Sequence, residues 1–265
     1  MIPRQARRLI LLLIAGATLS SEAAARWDYR LGVEGAWRTV SEREAGAELV
    51  GEEGVLAGLS GAASVHAGGW RLGLDGGLLG GSLDYDGATQ LGVALNTRTE
   101  WQEWHVGTGV EHRFARLAGV AVGGGVEYES RQRDILSTEA VQGLGERYRT
   151  VWLHLRGALH PTGSTALEAG VGCAIASDVD VRLEGFDDAS LSLDDHCRVD
   201  VSARLDVGRI GSKALYVRPF VSWERYGRSA AASLTADGVG VGSIYLPRTE
   251  FTGYGVTIGL RVRSD

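Results

Sequence analysis

The sequence predicts an all-β chain: an antiparallel transmembrane β-barrel of about ten strands, with short turns on one rim and long polar loops on the other. Three observations predict it. Thirty-nine glycines and four prolines are spread over 265 residues with no long apolar run at helical spacing, which favours many strands and turns. Strand-like runs alternate apolar and charged residues, and the connections between them alternate in length.

The first 25 residues read as a secretory signal. Arg4, Arg7 and Arg8 precede an apolar core from Leu9 to Leu19, and Ala23-Ala24-Ala25 offers a small-residue cleavage site. The core is about eleven residues, roughly half of what a spanning helix needs. Export follows, and residues 26–265 are left to form the barrel. Without the leader, which carries three arginines and Glu22, the net charge moves from −6 to −8. That charge, with no basic block, disfavours nucleic acid as a partner.

In the first strand Trp27, Tyr29, Leu31, Val33 and Trp37 share one face, while Asp28, Arg30, Glu34 and Arg38 share the other. The fourth sets Trp104, Val106, Val110 and Phe114 against Glu103, His105, Glu111 and Arg113. The eighth sets Cys197, Val199, Val201, Ala203, Leu205 and Val207 against Arg198, Asp200, Ser202, Arg204 and Asp206. Tyr254, Val256, Ile258, Leu260 and Val262 form the apolar face of the tenth. Pro219 falls inside the ninth, where a bulge is expected because proline cannot donate to the ladder. Short connections are expected at Ala67-Gly68-Gly69, Ala115-Arg116, His160 to Ser164 and Gly208 to Lys213. Long ones are expected at about 42–54, 82–97, 131–147, 178–194 and 228–247.

Alternation alone also fits a soluble periplasmic barrel, which would turn its apolar residues inward, so the aromatics must decide. Trp27 and Trp37 are ten residues apart on one face, as are Trp104 and Phe114. Ten tilted residues span roughly 25 Å, the height of the lipid-facing band between aromatic girdles. Lipid is therefore expected outside and charge inside. By phase, Glu34, Arg38, Arg71, Asp75, Glu103, Glu111, Arg113, Glu127, Glu129, His154, Arg156, Glu168, Arg198, Asp200, Arg204 and Asp206 point inward. A ten-strand lumen is narrow, so these charges are expected to pair as a plug. Cys173 and Cys197 both fall on the outward face, opposite each other if their strands pair about residue 185; a cross-strand disulfide is one reading and two thiols the other.

These features resemble the small outer-membrane β-barrel proteins of Gram-negative bacteria, over residues 27–263. The resemblance implies a place in the bacterial outer membrane, contact with its lipid and lipopolysaccharide, and delivery by the outer-membrane assembly machinery. Such barrels commonly end in an aromatic residue, whereas this chain ends Arg263-Ser264-Asp265. The implied role is non-enzymatic: structural, adhesive or one of minor permeation.

A second resemblance is to the omptin family, ten-stranded outer-membrane proteases with a paired-aspartate site facing an Asp-His pair. Asp84-Tyr85-Asp86 and Asp194-Asp195-His196 stand in loops nearly opposite each other. The resemblance implies catalytic roles for Asp84, Asp86, Asp194 and His196, with an Asp-oriented histidine taking a proton from water. Phase opposes this, because Asp84 and Asp86 count outward from Trp70, Leu72, Leu74 and Leu78 unless Gly80-Gly81 resets the register. The chain also reads as short for walls rising well above the membrane. Glu103 and His105 share an inward face, as a lipid-modifying barrel would want, and equally as an ion pair would. No cofactor is implied: there is no phosphate-binding glycine loop, and zinc would need two more ligands than the cysteines supply.

Overall fold

The computed structural model describes residues 25–88, 94–114, 117, 119–139, 141–193 and 196–264. The expected leader up to residue 24, Ala115 and Arg116 of an expected short turn, and Asp194 and Asp195 lie outside the described residues. The strands are β1 (Arg26–Glu44), β2 (Ala47–Ala67), β3 (Trp70–Ala88), β4 (Ala94–Arg113), β5 (Val120–Ile135), β6 (Leu144–Leu159), β7 (Thr165–Leu183), β8 (Ala189–Ser192), β9 (Cys197–Ile210), β10 (Lys213–Tyr226), β11 (Ala232–Ala236), β12 (Val239–Ile244) and β13 (Arg248–Arg263).

β1 to β7, β9, β10 and β13 form a closed antiparallel ring, in which β13 returns to β1 and β6 pairs with β7. All wall strands have two neighbours, so the ring leaves no open edge in lipid. β8 continues the wall beside the upper part of β7, and β11 and β12 make a separate hairpin. Backbone bonding from Asp187 to Thr235 and from Gly238 to the Asp187 carboxylate holds the hairpin to the β7–β8 connection. The Thr235 side chain and then the Gly238 amide keep the Asp187 carboxyl below its usual range.

The rim carrying Arg26 and Arg263 also carries the short turns and is called the lower rim. Gly68 and Gly69 turn there at φ 55° and 88°, values that a side chain would strain. The Gly208–Lys213 connection narrows to Gly211 and Ser212, with β9 running on to Ile210.

Large apolar side chains cover the outside of the lower part of the ring: Trp27, Leu31, Val33, Leu72, Leu74, Val106, Leu155, Val199 and Ile258 are all exposed. Trp70 packs on His112 at 4.4 Å near the lower edge of this belt, and Trp104 on Tyr128 at 5.2 Å near its upper edge. A soluble barrel would have buried these residues. The outer face is the one that meets lipid.

Most of the upper polar segments are wall and not loop, which corrects the sequence reading. The segment at 42–54 reduces to a tight turn at Ala45 and Gly46, and β2 is 21 residues long. At about 3.3 Å per residue and a tilt near 40°, such a strand rises about 50 Å, twice the lipid band. The walls therefore stand well above the membrane, against the expectation that the chain was too short. Above the belt the outward residues turn polar, as at Glu53, Asp84, Arg98, Gln132 and Arg147. The apolar–polar contrast by which strands are recognised disappears there, although the pleat continues.

Pro219 is a second correction. The β10–β13 register runs through it unbroken, and on the other side Arg218 and Pro219 simply drop out of the pairing with β9. The missing donor faces one neighbour only. The bulge in this strand pair lies at Leu215 and Tyr216 instead.

Candidate functional site

Among the described residues the lumen is where the fold gathers chemically able side chains in number, and it is layered. At the lower rim Arg261 pairs with Asp28, and with Asp206 at 3.3 Å. Above them Arg71 lies 3.5 Å from Glu111, Arg218 3.8 Å from Glu34, and Arg204 3.9 Å from Glu168. A polar cavity of about 270 Å³ opens among these groups.

Asp75, His105 and Glu127 face one another in that cavity, with donor atoms within 4.8 Å. Guanidinium groups already hold the carboxylates. Arg156 lies 3.6 Å from both Asp75 and Glu127, and Arg198 reaches Glu127 at 2.5 Å and Glu129 at 2.8 Å. His154 Nε2 accepts from the Arg198 guanidinium at 2.9 Å. This is chemistry of charge pairing, with the positive charge supplied by the protein.

Arg131 sits higher, among Glu103 at 3.1 Å, Glu129 at 2.8 Å and Glu224 at 3.0 Å, with Arg38 also bound to Glu103 at 3.1 Å. Glu103 is thus an arginine partner, separated in role from His105 in the cavity below. The Arg131 guanidinium also lies 4.4 Å from the Phe251 ring and 5.3 Å from Trp101. These rings belong to an aromatic layer with Trp152, Tyr148 and Tyr226, packed against Val40, Leu56, Leu83 and Val179. Desolvation makes pairing obligatory at this level, since a lone buried charge costs several kcal/mol.

Above the aromatics Arg133 gathers three carboxylates: Glu42 at 2.6 Å, Glu52 at 2.6 Å and Glu146 at 2.7 Å. The Tyr148 hydroxyl donates to Glu146 and the Thr99 hydroxyl to Glu52. Sequence reading missed this cluster, because all four charged residues fall in segments read as loops. The signal was present: Glu127, Glu129, Arg131 and Arg133 keep strict period two along β5.

Of the four residues that the omptin resemblance singled out, the three described ones, Asp84, Asp86 and His196, are not brought together. Asp84 and Asp86 are exposed on the outer face of β3, while Leu83 and Tyr85 between and beside them point in. The register from β2 through β3 to β4 is unbroken across Gly80 and Gly81, so no bulge turns the aspartates inward. His196 is buried in the lumen, its ring 4.0 Å from Tyr226 and 6.4 Å from Trp152. Asp194 lies outside the described residues. Cys173 and Cys197 are register partners on the outer face of β7 and β9.

No family model matches the chain, and no curated protein matches it. Solved structures do. The outer-membrane protease OmpT from Escherichia coli is 14% identical, with a TM-score of 0.54 over 94% of this chain and 99% of that one. The translocator domain of the autotransporter NalP from Neisseria meningitidis is 9% identical, with a TM-score of 0.51 over 97% and 94%. At such identities the likeness is one of fold. Both neighbours are bacterial outer-membrane β-barrels, and that is the fold of this chain.

Proposed function

We propose that the chain is an integral outer-membrane protein of a Gram-negative bacterium, a non-conducting and non-enzymatic barrel that holds a raised wall and its surface connections outside the cell. Outer-membrane lipid and lipopolysaccharide surround it, and the outer-membrane assembly machinery inserts it after export. One observation carries the reading: Trp101, Trp152, Tyr148, Tyr226, Phe251, Arg131 and Arg133, all inside the ring, are each at most 2% exposed. The charges around them are fixed in pairs, so they offer a permeating ion no mobile ligand. A proteolytic role would need Asp84 and Asp86 beside His196, and they face away from it.

The test is purified outer membranes followed by reconstitution. The protein should fractionate with the outer membrane, migrate faster unheated than heated on a gel, and give no conductance steps in a planar bilayer. Recovery in the soluble periplasm would overturn the location. Reproducible conductance from folded protein would overturn the closed lumen.

A further inference from the structure

The chain contains two cysteines, and the fold sets them side by side. Cys173 on β7 is the register partner of Cys197 on β9, with the sulfurs 3.4 Å apart. One step higher, the Ala174 amide donates to the His196 carbonyl at 3.1 Å. That bond makes Ala174 and His196 a hydrogen-bonded pair, so the cysteines occupy the adjoining non-hydrogen-bonded site. Opposed Cα atoms there stand about 4.5 Å apart, within the range a disulfide bridges.

The position has a structural consequence. Above this pair β8 takes over from β9 as the partner of β7, from Asp178 upward and in the same register. His196, next to Cys197, turns inward against Tyr226 and Trp152, so this junction also holds part of the aromatic layer.

We propose that Cys173 and Cys197 are joined by a cross-strand disulfide that clamps the junction of β7 with β8 and β9 in the exported protein. Two thiols become one S–S bond, releasing two protons and passing two electrons to a disulfide oxidant, which is reduced to its dithiol. The bond closes the chain between residues 173 and 197 and restricts the unfolded state accordingly.

Outer membranes are prepared without reductant and denatured in a maleimide, then reduced and treated with a second alkylating agent of different mass. Neither cysteine should take the first label, both should take the second, and an unreduced digest should contain the two cysteine peptides linked. First label on both cysteines overturns the proposal, as does a separate small-molecule adduct on either. Because labelling is done unfolded, it reads correctly even if a variant folds poorly: C173S and C197S should each leave one cysteine open to the first label. For the clamp, verified reduction should lower the temperature at which the folded gel band is lost in the natural protein and leave a C173S/C197S double variant unchanged. An unchanged temperature in the natural protein overturns the clamp.

Discussion

Replacing Arg133 by methionine should remove the only guanidinium among the described residues that pairs with Glu42, Glu52 and Glu146, while keeping an unbranched side chain in the same space. Arg133 is 0% exposed and the three carboxylates at most 8%. Its three contacts are 2.6, 2.6 and 2.7 Å, so the variant leaves three buried carboxylates facing one another. Breaking a buried pair from one side costs about 3–5 kcal/mol, and R133M should lose at least that at neutral pH. The direction with pH follows from linkage. Burial already pushes the Glu42 carboxyl up, above the lipid belt, and without the arginine Glu42 holds its proton to higher pH than in the unfolded chain, where carboxyls titrate near about 4.3. The variant's stability is therefore retained below that value and lost as pH rises through the folded one. Unfolding by denaturant in lipid vesicles, followed by tryptophan fluorescence, measures it. The gap between R133M and the natural protein should be widest at neutral pH and narrow towards pH ~4.5, and R133M/E42Q should recover part of the loss. A neutral-pH stability for R133M within about 0.5 kcal/mol of the natural protein would refute the argument that this arginine neutralises a desolvated cluster.

Two further outcomes test the placement of side chains. In single-tryptophan variants reconstituted in brominated lipid, Trp27, Trp70 and Trp104 should be quenched, whereas Trp101 and Trp152, at most 1% exposed, should not; quenching of Trp152 would mean that the inward and outward faces are exchanged. A Cβ on Gly58 would collide with the Leu78 carbonyl oxygen, while one on Gly35 meets nothing within 4 Å. G58A should therefore lose the fast-migrating folded band or unfold at clearly lower denaturant, and G35A should stay within about 0.5 kcal/mol; equal behaviour of the two would show that the β2–β3 backbones are not in close approach there.

The upper wall marks where sequence reading stopped. β5 was legible up to Glu129, because its outward neighbours Val122, Val126 and Tyr128 are apolar and contrast with the charges behind them. Beyond that point the outward residues are Ser130, Gln132 and Asp134, and both faces look polar. Arg131 and Arg133, among the most buried residues of the protein, were therefore read as loop. The same loss of contrast hid Glu42 and Glu52 on β1 and β2. Asp84 and Asp86 show the reverse: their outward phase was readable, and the unbroken register keeps it.

The sequence by itself determined the strand periodicity, the face that meets lipid and the rim on which the short turns lie. All three are local, since the pleat alternates residue by residue and the girdle spacing is a distance along one strand. Only the tertiary structure decided which charges neutralise which. Arg131 meets Glu224, and Arg133 meets Glu42, across separations of 93 and 91 residues that exist only once the ring has closed with a particular stagger. Closure also decided that five rings from four strands, β4, β6, β10 and β13, pack into one buried cluster inside the ring, because those strands face one another only once the ring has closed.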